Sequence, residues 1–193
     1  PGTVRIGYTG CGNHDGDIKL ILKPLLKLLT ENENVEFVLS QPFPAIANIK
    51  HPRLICLNRW LPIDMVPQDF KNWDMDIGVA PLRDNNFNRS KTNLRWLEYS
   101  ALKIPTVMSN VEPFKKSVLH GTTGMLCKSE LEWYQSLKEL ILDGVKRKSI
   151  GEAAYDKVKK NFNMETVAGL YADVLESIKS LGVKSNASKS HIL

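Results

Sequence analysis

Between Pro81 and Asn93 the chain sets Arg89 and Lys91 just ahead of a helical pattern reading Leu94-Arg95-Trp96-Leu97-Glu98. The first amides of a helix lack intrahelical partners and carry partial positive charge, so they attract anions. Ser90 or Thr92 can cap this helix, leaving the amides near Thr92, Asn93 and Leu94 open to a ligand. Arg89 and Lys91 beside those amides would make a diphosphate site. Glu98, one helical turn further, could accept hydrogen bonds from a ribose diol. Each feature has a plainer reading, as ordinary loop charges and a solvated helix glutamate. A second loop, Gly10-Cys11-Gly12-Asn13-His14-Asp15-Gly16-Asp17, has glycines that let backbone approach a ligand, and a helix N-terminus follows it. His14 reads equally as a ligand contact, a helix cap or an exposed bystander, and Asp15 or Asp17 can cap the helix.

These loops need a frame, and the apolar runs supply one. Strands are expected near 4–9, 35–40, 53–58, 76–80, 104–109 and 123–127, compact and β-branched like buried parallel strands. Ile18, Ile21, Leu22, Leu25, Leu26 and Leu29 lie at offsets of three and four and define one face of a helix, which Pro24 should kink or restart. Further helices are expected over about 93–102, 130–142, 145–160 and 164–181. Strands alternating with helices imply a doubly wound, mostly parallel six-stranded α/β sheet, Rossmann-like, closed by C-terminal helices. One domain over 1–182 is expected, with a small, polar, disordered tail over 183–193. Ligands of such sheets bind beyond the carboxyl ends of the strands, where both loops lie.

Composition narrows the class. The chain has 193 residues, 42% hydrophobic and 24% charged, as in an ordinary globular domain. No apolar run approaches the roughly 18 residues of a membrane span, and no secretory signal is evident. Cys11, Cys56 and Cys127 are widely spaced, which argues against a zinc site or a disulfide framework and for a reducing cytosol. The net charge is +5, with Lys146-Arg147-Lys148 and Lys157, Lys159 and Lys160 reading as solvated helix faces.

The stretch from Asp76-Ile-Gly-Val-Ala-Pro81, through Lys91-Thr-Asn-Leu-Arg-Trp-Leu-Glu98-Tyr-Ser-Ala-Leu-Lys-Ile-Pro105, to His120-Gly-Thr-Thr-Gly124 resembles a known family. It is similar to the C-terminal domain of retaining, nucleotide-sugar-dependent glycosyltransferases with two Rossmann domains, the GT-B fold. The Gly12-Asn-His-Asp15 start and the Leu97-Glu-Tyr99 form look most like O-antigen and cell-surface polysaccharide biosynthesis enzymes. The resemblance implies that Glu98 binds the donor's ribose hydroxyls. It implies that Thr92, Asn93 and Leu94 hold the diphosphate, that Gly10 and Gly12 face it with Asn13 and His14 nearby, and that Asn58 to Leu61 border the base. The motif's first glutamate falls on Ser90, and the family's basic residues after strand one are absent until Lys19, so Arg89 and Lys91 would stabilise the leaving group instead.

The same resemblance implies transfer of a sugar from a nucleoside diphosphate sugar to a glycan or lipid-linked acceptor, with retention. An N-terminal acceptor domain would complete the enzyme, so the fragment alone should be inactive. The catalytic residues are otherwise unassigned. Asp15-x-Asp17 and Asp74-x-Asp76 resemble paired metal-binding aspartates, but one pair starts a helix and the other precedes strand four, so no metal ligand and no cofactor are expected. The expected location is cytoplasmic, with peripheral contact to anionic membrane and none to nucleic acid. Two rivals remain open. A nicotinamide-dependent oxidoreductase would need a third glycine at Asp15 and an acid near Ser40-Gln41. A noncatalytic basic interaction domain would use the late lysines.

Overall fold

The computed structural model describes residues 2–10, 14–58 and 65–187. The strands are β1 (Val4–Tyr8), β2 (Val35–Leu39), β3 (Leu54–Cys56), β4 (Ile77–Ala80), β5 (Thr106–Ser109) and β6 (Met125–Cys127). All neighbouring strands pair in parallel, in the order β3-β2-β1-β4-β5-β6. This is the doubly wound order, whose direction of winding reverses between β1 and β4. Each expected strand is present, shortened by one or two residues at its ends.

The helices are α1 (Asp15–Glu31), α2 (Val66–Asn72), α3 (Asn86–Arg89), α4 (Leu94–Ala101), α5 (Phe114–Ser117), α6 (Glu130–Leu142), α7 (Gly144–Asn161) and α8 (Met164–Ala187). Strand side chains alternate between two packed faces, as a parallel sheet requires. Val35, Phe37 and Leu39 join Ile18, Ile21 and Leu25 of α1 and Trp133 and Leu137 of α6 in one core. Val38 points the other way, into a cluster with Phe70, Trp73 and Tyr99.

Pro24 does not restart α1. The helix is continuous from Asp15 to Glu31 with Pro24 itself buried, because the packed apolar face holds the chain helical across the missing N–H. The short α2, α3 and α5 and a 3₁₀ turn at Pro44–Ile46 went unpredicted, being too brief to show a period.

The chain divides into two compact units, 1–155 and 156–193. The first contains the sheet and helices α1 to α6. In the second, α8 continues through Ala187, so residues 183–187 of the expected tail are helical, and 188–193 lie outside the described residues. Along α8, Leu170, Tyr171, Val174, Leu175 and Ile178 are exposed. Among the described residues no helix is long and apolar enough to cross a membrane.

Candidate functional site

Tyr99 sets the position of α4. Its ring lies over Gly78 of β4, where an added Cβ would stand 2.5 Å from the ring, so only glycine admits it there. The Tyr99 hydroxyl then reaches the end of β1, 3.1 Å from the Thr9 amide and 2.9 Å from the Thr9 hydroxyl. Trp96, fully buried, donates its indole N–H to the Thr123 carbonyl at 2.9 Å. These anchors hold the start of α4 at the carboxyl ends of β1 and β4, where the winding reverses.

A cavity of about 230 Å³ opens at that point, lined by Tyr8, His14, Ala80, Pro81, Leu82, Lys91, Thr92, Leu94, Arg95 and Phe114. Four of the expected site residues, His14, Lys91, Thr92 and Leu94, therefore meet in one hollow. Neither Ser90 nor Thr92 caps α4. Asn93 occupies the cap position, but its amide donates to the Ser117 hydroxyl at 2.7 Å instead of serving its own helix. Ser90 ends α3 and donates to the Asn86 carbonyl. Among the described residues, the backbone N–H groups of Asn93, Leu94 and Arg95 have no acceptor.

The loop carrying Lys91 is tied to α1 through a buried carboxylate. Asp17 accepts from the Arg83 amide at 2.8 Å, from Asn88 Nδ2 at 3.0 Å and pairs with His14 Nδ1 at 2.9 Å. Burial, the largest single influence, pushes its pKa up. The bonds from His14, Arg83 and Asn88, with the charge of Lys91, outweigh that and hold it below the usual carboxylate value. Asp15 binds the Ala45 amide and Lys19. Thus neither aspartate caps α1: His14 stands at the cap position, and the two acids fill the first turn, where the helix dipole favours them.

The expected pair of cations is rearranged. Lys91 lines the hollow, its Nζ 4.9 Å from the Phe87 ring centre. Arg89 is drawn to Asp84 at 2.6 Å and does not line the hollow. Arg95, absent from the expected site residues, lines the hollow instead. The available signal was its spacing: four residues after Lys91 and in the first turn of α4, it shares a helix face with that end. Tyr8 and Phe114, the apolar walls, ended or began short elements and gave no periodic signal.

Glu98 is half-buried and accepts from Arg95 Nη1 at 2.7 Å. It is not among the lining residues of the hollow and adjoins it through Arg95. Burial pushes its carboxyl above the usual range, and the Arg95 charge only partly offsets this. Gly10 is buried, with its carbonyl accepting from Ser40 at 2.6 Å. A Cβ here would run into the Tyr8 ring, so the glycine serves the wall of the hollow. Gly12 and Asn13, and residues 59–61 of the expected base site, lie outside the described residues. Asp76 accepts the Arg5 amide at 2.8 Å and lies 3.8 Å from Arg147, both structural contacts. Among the described residues no three His, Cys, Asp or Glu side chains gather as a metal site would need.

No protein-family profile matches the chain, and no curated protein sequence does. Solved structures do. The C-terminal domain of a glycosyl transferase group 1 family protein (LpcC) from Francisella tularensis is 17% identical, with a TM-score of 0.65 over 85% of this chain and 88% of that one. Anabaena Alr3699/HepE, solved in complex with UDP, is 15% identical with a TM-score of 0.73, matching 91% of this chain and 49% of its own. S. aureus TarM, solved with Fondaparinux, alpha-GlcNAc-glycerol and UDP, is 13% identical with a TM-score of 0.71 over 89% and 35%. The chain thus spans half or less of HepE and TarM. Its six-stranded parallel sheet with flanking helices is the Rossmann-like half of the GT-B glycosyltransferase fold.

Proposed function

We propose that this chain is the donor-binding part of a glycosyltransferase that moves a sugar from a nucleoside diphosphate sugar to a glycan or lipid-linked acceptor, with retention. The observation that carries the reading is the convergence of Lys91, Arg95, His14 and the uncapped start of α4 on one hollow at the switch point. Breaking a sugar–phosphate bond leaves negative charge on the diphosphate. Preset amides and cations stabilise that charge as it develops. Lys91 and Arg95 fill the role expected of Arg89 and Lys91, and the donor enters as a substrate with no metal or cofactor. Glu98 takes the ribose diol. The HepE and TarM structures, each solved with UDP, support a nucleotide donor. The acceptor and its domain come from the remainder of a longer protein, acting in the cytoplasm at the inner membrane face in O-antigen or cell-surface polysaccharide assembly.

A nicotinamide site is disfavoured, because Ser40, at the end of β2, donates to Gly10 where that site would present an acid to the ribose. Isothermal titration with UDP, GDP, their glucose and mannose conjugates and NAD tests the choice. At least one nucleoside diphosphate should bind more tightly than NAD. Lys91→Ala should weaken that nucleotide by about 1.5–3 kcal/mol, as for a charged hydrogen bond, and weaken its nucleoside far less. The difference should shrink as salt rises. Tighter binding of NAD, unaffected by Lys91→Ala, would remove the reading.

A further inference from the structure

A larger cavity lies elsewhere, on the α1 and α6 side of the sheet at the carboxyl ends of β4, β5 and β6. It measures about 660 Å³, within the range of small-molecule sites. Buried Leu82, Val111, Cys127 and Trp133 contribute its apolar surface. Its charged lining is four cations, Lys19, Arg83, Lys115 and Lys128, against two acids, Asp84 and Glu130. Both acids are drawn to cations that do not line the cavity, Asp84 to Arg89 at 2.6 Å and Glu130 to Lys23 at 3.5 Å. Lys19 and Arg83 lie near Asp15 and Asp17, at 2.8 and 3.6 Å. Lys115 and Lys128 have no acid within pairing distance among the described residues. The side-chain amide of Asn110 likewise has no partner there.

We propose that this cavity is a second binding site, for a phosphate ester carrying an aromatic or alkyl group. The apolar surface takes the organic group, with the Trp133 ring as its largest element, and Lys115, Lys128 and Asn110 take the phosphate. A neutral ligand would leave the excess positive charge unanswered, and a bare inorganic anion would leave the apolar surface wet. The site is separate from the switch-point hollow, and Leu82 is the one lining residue they share.

Phenyl phosphate is a suitable probe, titrated into the 193-residue chain while tryptophan emission is followed. Saturable binding should perturb an emission that Trp133→Phe removes. The double variant Lys115→Ala/Lys128→Ala, at two exposed positions that leave the fold alone, should weaken binding at least tenfold. Lys91→Ala and saturating UDP should leave it unchanged. Displacement by phosphatidic acid vesicles, but not by phosphatidylcholine vesicles, would assign the phosphate to a lipid headgroup, and lack of displacement to a soluble ester. Binding that survives the double lysine variant, no saturable binding at all, or competition with UDP would overturn the second site. Because Lys91 and UDP report only on the switch-point hollow, failure here is separable from failure of the donor-site reading.

Discussion

At the scale of single residues, Glu98 and Asp17 are opposite uses of a carboxylate. Folding raises the pKa of Glu98, so its charged form is less comfortable folded than unfolded at neutral pH. Glu98→Gln should therefore leave the melting temperature at pH 7 unchanged or higher, while weakening binding of a ribonucleotide and sparing its 2′,3′-dideoxy analogue. Calorimetry with both ligands checks this, and equal losses for the two would detach Glu98 from the ribose. Asp17 has a folded pKa below its unfolded one. Its stabilisation is complete above about pH 4 and is lost as pH falls through the lower folded value. Asp17→Ala, which strands the Arg83 amide and Asn88, should cost about 1–3 kcal/mol at pH 7. Urea unfolding between pH 6 and 2 should show the two proteins converging in acid.

At the scale of elements, the site depends on how α4 is seated. Gly78→Ala should force the Tyr99 ring off β4 and cost about 1–3 kcal/mol by overpacking. In a Tyr99→Ala background the penalty should vanish, a coupling that a double-mutant cycle in urea would read. The sequence made the long elements plain because their periods are physical. The apolar face of α1 at Ile18, Ile21, Leu25 and Leu29 is a helix or nothing, and the runs at Val35–Leu39 and Ile77–Ala80 are too short and continuous to be much else. The start of α4 was legible only to within a residue or two. Residue type points to Ser90 or Thr92 as the cap, whereas Asn93 takes the cap position with its side-chain NH2 bonded to Ser117, distant in sequence. Arg89 turns from the helix start for a similar reason, since Asp84 competes for it within the loop.

At the scale of the whole molecule, the strand order is decisive, because it brings Tyr8, His14 and the loop of residues 80–95 to one point. That convergence could be expected from alternating strands and helices alone, whereas the buried Asp17–Asn88 tie that sets the loop's shape could not. The uncapped first turn of α4 has its own consequence. A cap is worth about 1 kcal/mol to a helix, and here the fold forgoes it. An anion seated against Asn93, Leu94 and Arg95 would supply the missing acceptors and act as the cap. Ligand binding and tightening of that turn would then be one event, each drawing on the same free energy. Hydrogen exchange at the amides of Leu94 and Arg95 should be fast in the free chain and slow with bound UDP, while exchange in the middle of α6 stays the same. The hollow would thus be built to gain local order from the molecule it holds, and slowed exchange confined to the start of α4 would map where the phosphates rest.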